Sequence, residues 1–175
     1  MIPLGGPIQD AAAWLNATGL HRFATGSPWV WATMETLHFL ALAVMVGTIG
    51  VLDLRLLGVG RGLPLAPFRA LVPIGVAAFV VNTATGLVFL AGAPYQYIYN
   101  LAFQMKLLFI LAAGANIALF YGSGLSRRTF AVGAGARVPT AAGLVGAISL
   151  IAWVGVMYWG RMLTFFRPPF VVPPH

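Results

Sequence analysis

Four long apolar runs constrain this chain more than any other feature. They fall at about 29–57, 68–90, 98–121 and 138–159, separated by short segments rich in glycine, proline and arginine. A helix needs ~20 predominantly apolar residues to cross the hydrocarbon core of a bilayer. Each run is long enough. Charged residues make up 7% of the chain and hydrophobic residues 60%, at a mean hydropathy of +0.91. A soluble domain carries about 25% charged residues, so this composition cannot build a water-facing surface. The expected fold is all-α: an integral membrane four-helix bundle over 29–161.

The ends differ from the bundle. Residues 1–28 read as a Pro/Gly-rich lead and an N-terminal interfacial amphipathic helix. Asp10 can cap that helix, with Ala11, Ala12, Trp14 and Leu15 on its apolar side. At roughly 13 residues it is too short to span; Trp14 and Phe23 are its expected interface anchors. Ser27 then caps the first span, and Pro28 takes the first helical position, where its missing N–H costs nothing. Residues 1–20 carry no Lys or Arg and are broken by Gly5, Gly6, Pro7, Gln9 and Asp10, unlike a cleaved signal peptide. Residues 162–175 form a proline-rich C-terminal tail, expected to be extended.

The formal net charge is +7. No basic stripe is interleaved with exposed aromatics, so nucleic acid is not an expected partner. The basic residues lie mainly between the runs and read as topology signals and anionic-lipid contacts. The connection after span one carries Arg61, flanked by Arg55 and Arg69; that after span three carries Arg127, Arg128 and Arg137. The connection between spans two and three carries none. The positive-inside rule therefore puts both arginine loops in the cytoplasm and both termini on the outer, periplasmic side of a bacterial inner membrane, with Arg22, Arg161 and Arg167 opposing. The chain has no cysteine, which excludes disulfides, thiolate metal sites and thioether-linked haem.

Against this background, titratable residues inside the runs stand out, because charge is expensive in hydrocarbon and marks a pathway, a cofactor or a partner. Glu35 and His38 are three apart and so neighbours on one helix face. Both lie ~9–14 Å in from Trp29 at ~1.5 Å per residue, and Lys106 lies ~12 Å into span three. Asn82 lies ~16 Å below Ala93 by the same rise. The expected cluster in the outer half is Glu35, His38 and Lys106, with Gln104, Asn82 and Arg161 around it. Glu35 with Lys106, and Asp53 with Arg69, are the expected ion pairs.

Each residue also has a plain structural reading. Glu35 and Lys106 can simply fix helix register. His38 can be an interior hydrogen-bonded histidine. Asp53-Leu54-Arg55 reads as an interfacial anchor. Asn82 and Asn116 read as interhelical glue, and Gly47, Gly50, Gly114, Ala118, Gly143 and Ala147 as points of close helix approach.

Ligand counting limits the chemistry. Glu-x-x-His is half of a di-iron carboxylate site, and this chain has no second unit. A closed zinc site lacks ligands for the same reason. A b-type haem needs one or two axial imidazoles, which His38 can supply alone or from each subunit of a dimer. Lys106 and Arg161 could then pair with the propionates. A quinone is the other redox option, with His38 bonding a carbonyl and Glu35 as its proton partner. No independent catalytic constellation is visible.

The run Trp31…Met34-Glu35-Thr36-Leu37-His38, then Val51-Leu52-Asp53-Leu54-Arg55-Leu56-Leu57-Gly58, Thr85-Gly86-Leu87, Phe103-Gln104-Met105-Lys106-Leu107 and Ser149-Leu150…Trp153…Gly160-Arg161 resembles the DUF6644-type family of uncharacterised bacterial integral membrane proteins. The resemblance covers about 29–166 and implies a small helical inner-membrane protein, without assigning an activity. More distantly the chain is similar to small membrane anchors of the cytochrome b561 or copper-resistance D type. Those offer more intramembrane histidines than the single His38.

The functional expectation is a membrane subunit of a redox system that holds haem b or quinone near the outer face. The residues expected to hold it are His38, Glu35, Lys106 and Arg161, with His38 the candidate iron ligand. The alternatives are a structural or assembly subunit with no cofactor, and an oligomeric transporter or channel. The expected partners are the bilayer and other membrane subunits or further copies of the chain.

Overall fold

The computed structural model describes residues 6–166, and every regular element among them is helical. The lead is two helices, α1 (Pro7–Ala17) and α2 (Gly19–Thr25), where the sequence suggested one. Thr18 causes the break. Its backbone is extended (ψ 157°), its hydroxyl donates to Leu15 O at 2.6 Å to close α1, and the same oxygen accepts from His21 N at 3.2 Å to cap α2.

The spans follow as α3 (Pro28–Leu56), a 3-10 turn (Ala66–Ala70) leading into α4 (Leu71–Gly92), α6 (Leu101–Gly122) and α8 (Thr140–Met162). Two short helices, α5 (Pro94–Ile98) and α7 (Leu125–Phe130), sit in the connections before and after α6. Four helical stretches, Pro28–Leu56, Ala66–Gly92, Leu101–Gly122 and Thr140–Met162, are long and apolar enough to cross a membrane, with mean hydropathy between 1.7 and 2.0. This is the helix pattern of a multi-pass membrane protein. Ser27 Oγ accepts from Trp29 N at 3.3 Å and Pro28 opens α3, the cap its sequence specified. α7 replaces what read as a plain Gly/Ser/Arg loop; Gly124 (φ 72°) reverses the chain ahead of it, a left-handed conformation that glycine adopts without steric cost. The proline-rich tail from residue 167 onward lies outside the described residues.

The bundle is built from two hairpins, α3 with α4 and α6 with α8, joined where α3 meets α8. α4 and α6 have no comparable interface among the described residues, which leaves a cleft on that side. The closest approaches fall at glycines the sequence did not single out; at Gly143, which it did, a Cβ would lie 3.6 Å from Leu56 O. A Cβ at Gly146 would lie 3.0 Å from both Asp53 O and Leu56 Cβ across the α3–α8 seam, and one at Gly155 would overlap the Phe109 ring. A Cβ at Gly75 would lie 3.1 Å from Thr48 Oγ1 between α3 and α4. A Cβ at Gly47, Gly50 or Gly114 would meet nothing within 4 Å, so those three do not set helix spacing. The core joins the hairpins through Met45, Ala78, Ala113, Trp153 and Val156.

The lead helices dock at the Trp29 end. His21 Nδ1 bonds Ala91 O at 2.7 Å, and buried Ala24 sits where Gly92 leaves room. Trp14 and Phe23 point outward, 68% and 50% exposed. At the opposite end the two arginine-bearing connections meet: Gly135 N donates to Arg61 O at 2.8 Å and Leu65 N to Val132 O at 3.1 Å.

Candidate functional site

His38 sits on α3 where that helix crosses α4, and α4 grips it twice. Asn82 Nδ2 donates to His38 O at 2.9 Å, and the imidazole Nδ1 bonds Thr85 Oγ1 at 2.8 Å. Asn82 and Thr85 are three apart and thus on one face of α4. The Thr85 hydroxyl is also within reach of two carbonyls of its own helix, Val81 O at 3.0 Å and Asn82 O at 2.9 Å. A hydroxyl has one proton and two acceptor lone pairs, so a Thr85 that donates to its own backbone must accept from His38.

Aromatic rings flank the imidazole. Phe89 meets it edge-on at 5.5 Å between centroids and Phe39 at 6.4 Å, while Trp31 packs on Phe89 at 4.9 Å. Gly86 lets the ring lie against α4: a Cβ there would contact Cε1 at 3.6 Å. The imidazole is half-buried.

The rest of the expected cluster divides. Lys106 on α6 lies close enough for its charge to be felt at His38. Its stem runs over α8 at Gly160, where a Cβ would lie 3.9 Å from Cδ and 4.0 Å from Nζ. Glu35 is on an exposed face of α3, and the neighbour its charge reaches is Tyr97 on α5. Tyr97 is half-buried, and burial, reinforced by the Glu35 carboxylate, holds its phenol above the ordinary value. Among the described residues no ion pair joins Glu35 to Lys106; one points outward from α3, the other into the bundle. Gln104 Nε2 donates to Ile98 O at 3.1 Å, and the Arg161 guanidinium sits 5.6 Å over the Phe165 ring.

At the arginine end, Asp53 and Arg55 are both deeply buried, 3% and 2% exposed. Asp53 faces Ser149 on α8, not Arg69, whose charge reaches Tyr121 instead. Its Oδ2 has no hydrogen-bond partner, and neither has Trp153 Nε1. Both residues line a largely apolar cavity of about 200 Å³ on the α4–α6 cleft, together with Asn116 and Ser149.

Sequence reasoning identified Asn82 and Asn116 as interhelical glue. They are: Asn116 Nδ2 donates to Val145 O at 2.9 Å across α6 and α8. It passed over Thr85 as a site residue, although Thr85 was in one of the quoted motifs. It also passed over Asn100, which caps α6 through Ala102 N at 2.8 Å and reaches Leu163 O at 3.0 Å. Among the described residues no three of His, Asp and Glu gather. No family model matches the chain, and no curated protein or solved structure matches it; the family resemblance rests on the motifs quoted above.

Proposed function

We propose that the chain is a small integral membrane subunit of a redox system and that His38 holds its cofactor, a haem b or a quinone, in the half of the bundle nearest Trp29. The observation that carries this reading is the His38–Thr85 hydrogen bond. With the Thr85 proton directed to Val81 O or Asn82 O, Nδ1 carries the ring proton and Nε2 keeps its lone pair. A histidine whose Nδ1–H is held by an oxygen acceptor is oriented for work at Nε2. Such an Nε2 can ligate haem iron or accept a hydrogen bond from a hydroquinone hydroxyl. Lys106 supplies positive charge nearby, which favours an anionic group, and buried Phe89 covers one edge of the ring. By the distribution of arginines, this half faces the periplasm of an inner membrane.

Protein purified from its own membranes should show a Soret band or release a quinone on extraction. His38→Ala should lose whichever is present while the bundle stays folded. A colourless wild type that releases no quinone overturns the reading.

Exposed Glu35 supports a second, compatible role in assembly. A carboxylate facing hydrocarbon is penalised by about 2.5–3.5 kcal/mol on the insertion scale. A further membrane chain over this face of α3, another subunit or a second copy, would relieve it. Glu35→Leu should then alter the oligomeric size in mild detergent; an unchanged size removes this role.

A further inference from the structure

Where the two arginine-bearing connections meet, they enclose a second pocket of about 350 Å³. Arg55, Arg61 and Arg137 line it, with Gly58 and Ala136 between them. Three features make it a built site. Arg55 is 2% exposed and held rigidly, with Nε donating to Leu63 O at 2.9 Å and Nη2 to Arg61 O at 3.3 Å, while its Nη1 has no partner. Gly58 (φ 99°) leaves the space the Arg61 guanidinium occupies: a Cβ there would lie 2.9 Å from Nε and 3.0 Å from Nη2. The Gly135 N–H to Arg61 O bond at 2.8 Å brings the Arg137 segment against the Arg61 segment.

Among the described residues no acidic side chain compensates the charge in this pocket. The chain has three acidic residues. Asp10 and Glu35 belong to the opposite end, and Asp53 faces Ser149 in the neighbouring cavity. Nor does the end of α3 use the guanidiniums of Arg61 and Arg137. The carbonyls of Asp53, Leu54 and Arg55 are already closed by the N–H groups of Leu57, Val59 and Gly58 at 2.9, 2.9 and 3.1 Å. Guanidinium forks match tetrahedral oxyanions in pairs, and basic pockets at the ends of membrane helices suit phosphate headgroups.

We propose that the Arg55–Arg61–Arg137 pocket binds a phosphate group, carried either by an anionic phospholipid headgroup or by free phosphate. The site is independent of the His38 reading and stands or falls without it.

The test uses the full chain, delipidated in detergent and separately reconstituted in phosphatidylcholine vesicles. Thermal unfolding is followed with added inorganic phosphate in the first case and with phosphatidylglycerol in the second. Stabilisation by phosphatidylglycerol alone assigns a lipid headgroup; stabilisation by phosphate as well assigns a free anion. Arg137→Gln and Arg61→Gln, both at exposed positions, should each weaken the effective component at least ~tenfold, the scale of one lost charge-assisted bond. Arg127→Gln, on α7 and outside the pocket lining, should leave it within about twofold, as expected for an exposed surface charge. No stabilisation by either component overturns the proposal. So does an Arg127→Gln loss equal to that of Arg137→Gln, since the attraction would then be diffuse.

Discussion

Replacing Thr85 by valine removes one oxygen from the bundle and keeps the side-chain shape. Two sets of bonds are touched. The Val81 and Asn82 carbonyls lie within α4, so losing the Thr85 hydroxyl costs them little. The His38 Nδ1 loses the partner it now has at 2.8 Å. A net hydrogen bond is worth about 0.5–1.5 kcal/mol, and a fully buried orphan donor costs about 1–3 kcal/mol. His38 is half-buried, so relief by water is partial and about 1 kcal/mol is the expected loss of stability. Since 1.36 kcal/mol is a factor of ten, the preference for the proton on Nδ1 should weaken about fivefold. The assay is denaturant unfolding in micelles, paired with imidazole 15N spectra that distinguish the two tautomers. Asn82 still holds His38 O, so the helices should stay in register. An unchanged unfolding midpoint together with an unchanged His38 spectrum would refute the idea that Thr85 fixes this ring.

Other perturbations separate helix packing from the site. Gly155→Ala drives a Cβ into the Phe109 ring and should cost about 1–3 kcal/mol, whereas Gly114→Ala, with open space around it, should be neutral or stabilising in the same unfolding assay. Asn116→Leu removes the bond to Val145 O and should cost about 0.6 kcal/mol, up to ~1.7, leaving cofactor content unchanged. Tyr97 keeps its proton above the ordinary value of 10.0, so the stability it contributes is intact below pH 10.0 and is lost as the pH rises further. Glu35→Gln should bring the Tyr97 titration down, read as the tyrosinate absorbance missing in Tyr97→Phe; an unmoved titration means that Glu35 does not face Tyr97.

The four spans were legible because hydropathy over twenty residues is a compositional signal, and the Ser27-Pro28 start because a cap is local chemistry. Buried amides such as Asn82 and Asn116 were legible too, since an apolar helix retains an amide only where it finds a partner. The face of each residue was not. Three residues along a helix turn the side chain through ~300°, so Glu35 and His38 diverge by ~60°. That is enough for one to meet α4 and the other to face outward. Thr85 was hidden because a threonine in a membrane helix is ordinary until a histidine from another helix is set against it. The α1–α2 break depends on Thr18 serving two helix ends, which a composition-based reading of residues 7–25 averages away.

The most direct measurement is cofactor content per chain, haem by absorbance and quinone by extraction, in protein isolated from its own membranes. Wild type, His38→Ala and His21→Ala should be compared. His21 is the control, because its ring nitrogen is tied to Ala91 O in the docked lead. The expected result is cofactor in wild type and His21→Ala, near one per chain or one per two chains, and its loss from folded His38→Ala. Retention by His38→Ala, or its absence from the wild type, would contradict the account.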